Sequence, residues 1–155
     1  MDVLEAALDQ VGFAVIEDAL DVAELASLTD AVDDFHRRRG GGTLHELGFL
    51  GADERFAELV DHPAVLPVVV ATLGWNVFMY QWHARGDNTS DVTRKVLFFA
   101  YTYRWIRPRD DLDLSASFLA GTSPTRRQLL GDGTSAIGHW IPTEEDVPLR
   151  AAVEA

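Results

Sequence analysis

The sequence predicts an α+β fold, with N-terminal helices packed on a small, incomplete antiparallel sheet. Three observations carry this. Val22, Leu25, Leu28, Val32 and Phe35 form one apolar stripe at helical spacing across residues 22–38. From Asn76 the period changes to two, the signature of a strand. Lys95 to Trp105 then reads as a second strand, apolar on both faces, as expected of one buried in a sheet stack. No linker divides the 155 residues, so residues 1–155 are expected to form a single domain.

The elements follow in order. Val3, Leu4, Ala7, Leu8 and Val11 predict a short first helix over 2–11, broken by Gly12. Phe13 to Ile16 is a short apolar run and predicts a strand. Asp21 with Glu24 three residues on is a capping box that starts the helix over 22–38. Its last turn holds Arg37 and Arg38, which suit the negative end of the helix dipole, and Gly40–Gly41–Gly42 marks a flexible connection. Asp53 caps a helix through Phe56, Leu59 and Val60. Pro63 is expected to start another, through Leu66, Val69, Val70 and Leu73, with Gly74 as its stop. In the strand after Asn76, period two puts Val77, Met79, Gln81 and His83 on one face and Phe78, Tyr80 and Trp82 on the other. Ser123–Pro124 opens a short helix carrying Leu129 and Leu130, Gly131–Asp132–Gly133 is a turn, and Pro148 starts a last short helix. A further strand is expected near Ile137. The helix over 22–38 and the strand Lys95–Trp105 should form the centre of the core.

Composition narrows the function classes. Nearly half of the residues are hydrophobic and a quarter charged, which is the make-up of a globular chain. A formal net charge of −12 argues against nucleic acid and anionic membrane surfaces as partners, because both need a clustered basic face. There are no cysteines, so disulfides, zinc-thiolate sites, iron–sulfur clusters and thiol nucleophiles are excluded. The acidic N-terminus lacks the pattern of a signal peptide, and the apolar run Val65 to Leu73 contains a proline and is too short to span a bilayer. A cytoplasmic protein is the expectation. No G-x-S-x-G elbow, kinase set, P-loop or dinucleotide fingerprint is present.

Chemistry concentrates in the segment WHARGDNTSDVTRKVLFFAYTYRW, from Trp82 to Trp105. His83 at a strand end is followed by a loop rich in Asn, Asp, Ser and Thr, and Arg94 opens the next strand. Two antiparallel strands joined in this way can bring an imidazole, a ligand for a borderline metal, over the same cavity as a guanidinium, a planar fork for a carboxylate. Asn88, Ser90 and Asp91 read as turn formers, and Tyr101, Tyr103 and Trp105 as core or interface aromatics. His36, His45, His62 and His139 have no partner in sequence and are assigned to surface or capping roles.

This pattern resembles the distal metal-binding histidine and the 2-oxoglutarate-binding arginine of the phytanoyl-CoA dioxygenase family. The likeness extends to GFAVIEDALDVAELASLTDAVDDF, to FAELVDHPAVLPVVVATLGWNVFMY, to YTYRWIRPRDD and to the tail through His139–Trp140. It implies a sheet derived from a double-stranded β-helix, or jelly roll, with iron(II) and 2-oxoglutarate as cofactors and a small organic molecule or acyl thioester as substrate. His83 would be a metal ligand and Arg94 would hold 2-oxoglutarate.

The middle of the family's pattern is absent. A jelly roll needs eight strands, or roughly 90 residues at usual strand and loop lengths. Here the text passes from NVFMYQ, like an early barrel strand, to WHARGDN, like a late one, with the junction near Gln81. The family keeps its His-x-Asp pair, two of three ligands in the facial triad, in the omitted part. No histidine in this chain is followed by x-Asp or x-Glu. The expectation is an oxygenase relative whose turnover is impaired. The alternatives are an active oxygenase with ligands supplied elsewhere, and a non-catalytic interaction module. Open sheet edges and apolar faces such as Leu97, Phe99 and Tyr101 predict self-association.

Overall fold

The computed structural model describes residues 2–41, 45–47, 49–85, 95–106, 114–132 and 148–154. Among them the order is α1 (Asp2–Val11), α2 (Val22–Arg38), β1 (His45–Leu47), α3 (Glu54–Glu58), α4 (Leu66–Leu73), β2 (Val77–Arg85), β3 (Leu97–Tyr103), α5 (Ala116–Ala120), α6 (Pro124–Leu129) and α7 (Pro148–Glu154). Single 3-10 turns at Phe49–Ala52 and Leu59–Asp61 flank α3. The strands form one antiparallel sheet in the order β1-β2-β3, so the fold is α+β.

Local chemistry sets most boundaries. Asp21 Oδ1 accepts from the Ala23 and Glu24 amides at 2.7 and 2.8 Å, and Glu24 Oε2 accepts from the Asp21 amide at 2.8 Å. That reciprocal pair satisfies the amides that a helix start leaves without partners. The expected helices over 2–11 and 22–38, and those opened by Ser123 and Pro148, form as read. Gly74 closes α4 at φ +76, a conformation that side-chain-bearing residues rarely adopt. Pro63 does not start α4. It lies in a turn where His62 O accepts from the Val65 and Leu66 amides, each at 2.9 Å. A helix begun at Pro63 would hold Pro67 in its interior, without an amide to donate. Starting at Leu66 leaves Pro67 in the first turn.

Asp53 does two jobs at the start of α3. Its carboxylate accepts the Arg55 amide at 3.1 Å and pairs with the Arg55 guanidinium at 2.9 and 2.7 Å. Arg55 Nη1 also donates to Ser27 O at 2.8 Å, which ties α3 to α2. The hydrogen bonds from Arg55 hold the Asp53 carboxyl below the usual aspartate range. A depressed folded pKa stabilises the fold above the unfolded value near 3.9, and that contribution is lost as pH falls through the folded value. Asp53→Asn keeps a cap but removes the ionisation. Urea midpoints taken from about pH 6 down to about pH 3 should therefore fall less steeply in the variant; equal slopes would sink the assignment.

Four expectations are corrected. Phe13–Ile16 is not a strand: it pairs with no strand, and Phe13 and Val15 are 63% and 68% exposed. A strand is stabilised by its ladder partner, which apolar content cannot supply. The Lys95–Trp105 strand is shorter, Leu97–Tyr103, and is buried on one face only, with Leu97, Phe99 and Tyr101 partly buried and Phe98 44% exposed. The helix over 22–38 enters the core as expected, through Ala31 and Phe35, beside Phe49, Leu50, Phe56, Val60, Val77, Met79, Leu129 and Leu149, whereas Leu97, Phe99 and Tyr101 of β3 are only partly buried against it. Phe56 stands edge-on to both Phe49 and Phe35, at centroid distances of 5.1 and 6.1 Å.

The fourth correction concerns β2. Val77, Phe78 and Met79 pair with Tyr103, Thr102 and Tyr101, but Gln81 pairs with Ala100, leaving Tyr80 as an extra residue. Such a bulge reverses the alternation beyond it. His83 consequently pairs with Phe98, out of series with Val77 and Met79, and the expected single face from Val77 to His83 is broken. The strand expected near Ile137 lies outside the described residues, as do Gly42 and Gly133. β1, the 3-10 turns and α5 were not anticipated. Of these, α5 had a legible signal, since Ser115 Oγ accepts the Phe118 amide at 3.2 Å and Gly121 follows the helix.

No single described helix is long and apolar enough to cross a membrane. A pair bent by 48°, Glu54–Asp61 with Leu66–Leu73, passes by length and composition alone, and its Phe56 and Val60 are core residues.

Candidate functional site

His83 lies within β2 and is paired through its backbone on both sides, to Leu47 of β1 and Phe98 of β3. Its position is therefore at the centre of the sheet. Arg94, Asn88, Ser90 and Asp91 lie outside the described residues, and so does His139. Among the described residues, no three His, Asp or Glu side chains gather closely enough to hold a metal ion. Tyr103 and Trp105 stack on each other, rings 4.3 Å apart and 8° from parallel, with Trp105 54% exposed.

The structure draws attention to a different place. α2 does not lie flat on β3. Between them is a groove of about 450 Å³, walled by Leu25, Leu28 and Val32 and floored by Leu97, Phe99 and Tyr101. Leu25, Leu28 and Val32 belong to the stripe that helical spacing defined, and Leu97, Phe99 and Tyr101 are the apolar face that was expected to be exposed. Lys95 spans the opening, its Nζ 2.7 Å from Asp33 Oδ1 on α2. Tyr101 donates its hydroxyl to Val60 O at 2.8 Å. Burial pushes its phenol pKa well above the usual tyrosine value, and the nearby Asp61 carboxylate pushes it further. Both effects keep Tyr101 a neutral donor.

His62 lines this groove and is 8% exposed, so of the surface or capping role that sequence assigned to it, the capping part fits. The Ala64 amide donates to Nδ1 at 3.3 Å, which leaves the ring proton of the neutral imidazole on Nε2. Nε2 is buried and has no hydrogen-bond partner, since Glu24 Oε1 stands 3.6 Å away. Glu24 is held there because its other oxygen completes the capping box. A second recess of about 450 Å³ adjoins the groove and shares Leu20, Leu28, Leu59 and His62 with it. It adds polar residues: Ser27, Glu24, Glu58, Arg55 and Arg126. Both arginines are already paired, Arg55 with Asp53 at 2.7 Å and Arg126 with Asp61 at 2.8 Å. No residue pattern announces this site. The dipeptide His62–Pro63 reads as the start of a helix, and only tertiary packing puts α2 across it.

No family model, no curated protein and no solved structure matches this chain.

Proposed function

We propose that this chain is a shortened relative of the phytanoyl-CoA dioxygenase-like oxygenases, in which binding of small molecules has outlasted turnover. The observation that supports this reading is the bulge at Tyr80. It falls beside Gln81, where the sequence passes from the segment like an early barrel strand to the segment like a late one. Joining two strands of opposite side-chain parity requires one extra residue at the junction, and a bulge is how a ladder absorbs one. On this reading β1, β2 and β3 are the remnant of a double-stranded β-helix. In the family, iron(II) and 2-oxoglutarate supply oxygen activation. Here one histidine and one arginine remain, so the residues offer weak binding of a metal ion by His83 and of a dicarboxylate by Arg94.

The test is thermal unfolding under anaerobic conditions, with and without manganese(II) plus 2-oxoglutarate. Ligand at a hundred times its dissociation constant adds about 2.7 kcal/mol of stability. The expected result is a shift at high ligand concentration that disappears in His83→Ala and in Arg94→Ala, with no succinate released when iron(II) and oxygen are supplied. Succinate release would restore an active oxygenase. A melt indifferent to both ligands would remove the oxygenase reading.

A further inference from the structure

We propose that the groove between α2 and β3 is a binding site for a neutral, mainly apolar molecule carrying one hydroxyl group, with His62 Nε2 as the donor that orients it.

The size and lining come first. About 450 Å³ lies in the range of small-molecule sites, which are mostly apolar with a few placed polar groups. Leu25, Leu28, Val32, Leu97 and Phe99 form an apolar wall and floor. An aliphatic or aromatic body that fills this space removes their surface from water.

The polar end decides the chemistry. A buried N–H without a partner is costly, and here the orphan is His62 Nε2. A ligand oxygen that turns Glu24 Oε1 aside, from its place 3.6 Å from Nε2, accepts from the imidazole. If that oxygen belongs to a hydroxyl it also donates to the carboxylate, so one group satisfies both. Glu24 has a side chain 47% exposed, so its Oε1 can turn aside while Oε2 keeps the Asp21 amide.

Charge excludes the other candidates. Each cation of the two recesses is held by a carboxylate: Lys95 by Asp33, Arg55 by Asp53 and Arg126 by Asp61. An anionic head would meet Glu24 with no free cation among the described lining residues to offset it, in a chain of net charge −12. A ketone or ether accepts from His62 but gives Glu24 nothing.

The experiment is calorimetric titration of the intact chain, without metal or 2-oxoglutarate, with 2-naphthol, naphthalene and 2-naphthoate. Wild type should bind 2-naphthol one to one and about threefold to tenfold more tightly than naphthalene, the value of one hydrogen bond, with 2-naphthoate weakest. His62→Asn keeps a side-chain oxygen for the Ala64 amide and removes the Nε2 donor, so it should erase the preference for 2-naphthol. Leu28→Trp fills the groove and should abolish binding of all three; Val32→Phe serves the same purpose if circular dichroism shows that the first variant is unfolded. Equal binding of 2-naphthol and naphthalene in wild type overturns the proposal, and so does a preference that survives His62→Asn or binding that survives the filled groove. None of these outcomes bears on the manganese and 2-oxoglutarate melt.

Discussion

Replacing Gln128 with leucine is expected to destabilise the fold by about 3 kcal/mol, because it leaves two buried backbone groups and one part-buried carbonyl without their partner. Gln128 is 2% exposed. Its Nε2 donates to Trp75 O at 2.9 Å and to Val77 O at 3.1 Å, and its Oε1 accepts the Leu149 amide at 3.0 Å. One side chain on α6 thus joins the start of β2 to the first turn of α7. Leucine fills nearly the same volume, so the cost comes from lost hydrogen bonds and not from a cavity. The effect should be polarised. α7 retains Leu149 in the core and Arg150 over the Trp75 ring at 5.1 Å, but its first turn loses an amide partner. Hydrogen exchange at 149–151 should accelerate more than exchange across β2 and β3. Urea unfolding reads the total, with the midpoint falling and the slope unchanged. A midpoint loss equivalent to less than about 0.5 kcal/mol, the ordinary effect of a surface change, would mean that water or another side chain replaces the amide at no cost.

Phe56→Ala should cost about 3–5 kcal/mol, the usual loss for a fully buried phenylalanine. Against a typical domain stability of about 5–15 kcal/mol this leaves little reserve. Phe56 is 1% exposed and sits between Phe49 and Phe35, so its removal opens a cavity where α2, α3 and the 3-10 turn at Phe49–Ala52 meet. Leu25→Ala makes the informative comparison. Leu25 belongs to the same apolar stripe of α2 as Phe35, yet it is 56% exposed and lines the groove. Its truncation should stay within about 0.5 kcal/mol. A large loss at Leu25 would mean that α2 closes on β3 in solution and that the groove is filled by the protein itself.

That contrast shows where the sequence stops informing. A helical stripe states which residues share a side, but not how near the facing element lies. Leu25, Leu28 and Val32 satisfy periodicity whether α2 rests on β3 or stands off from it. What holds the separation is tertiary: Lys95 reaching Asp33 across the opening, and Arg55 fastening α3 to Ser27 of α2. His62 is a similar case. Nothing beside it in the chain sets its burial, which follows from α2 passing over the turn at 62–65.

Taken alone, the sequence determined the helices that carry their own terminators. Asp21 with Glu24, Asp53, Ser123 with Pro124, Gly74 and Pro148 act on backbone groups within a few residues of themselves, so their effect is readable locally. The change of period at Asn76 likewise located β2, because alternation is a property of consecutive residues, and the apolar run from Lys95 to Trp105 located β3 though not its bounds. Tertiary structure alone decided the rest. Phe13–Ile16 has the composition of a strand and pairs with none of the described strands. Tyr80 became a bulge because the partner strand is one residue short there, and that exchanged the register of everything after it, His83 included. Local hydrogen-bond chemistry is written in neighbouring residues, whereas strand partners and gaps between elements depend on residues far apart in the chain.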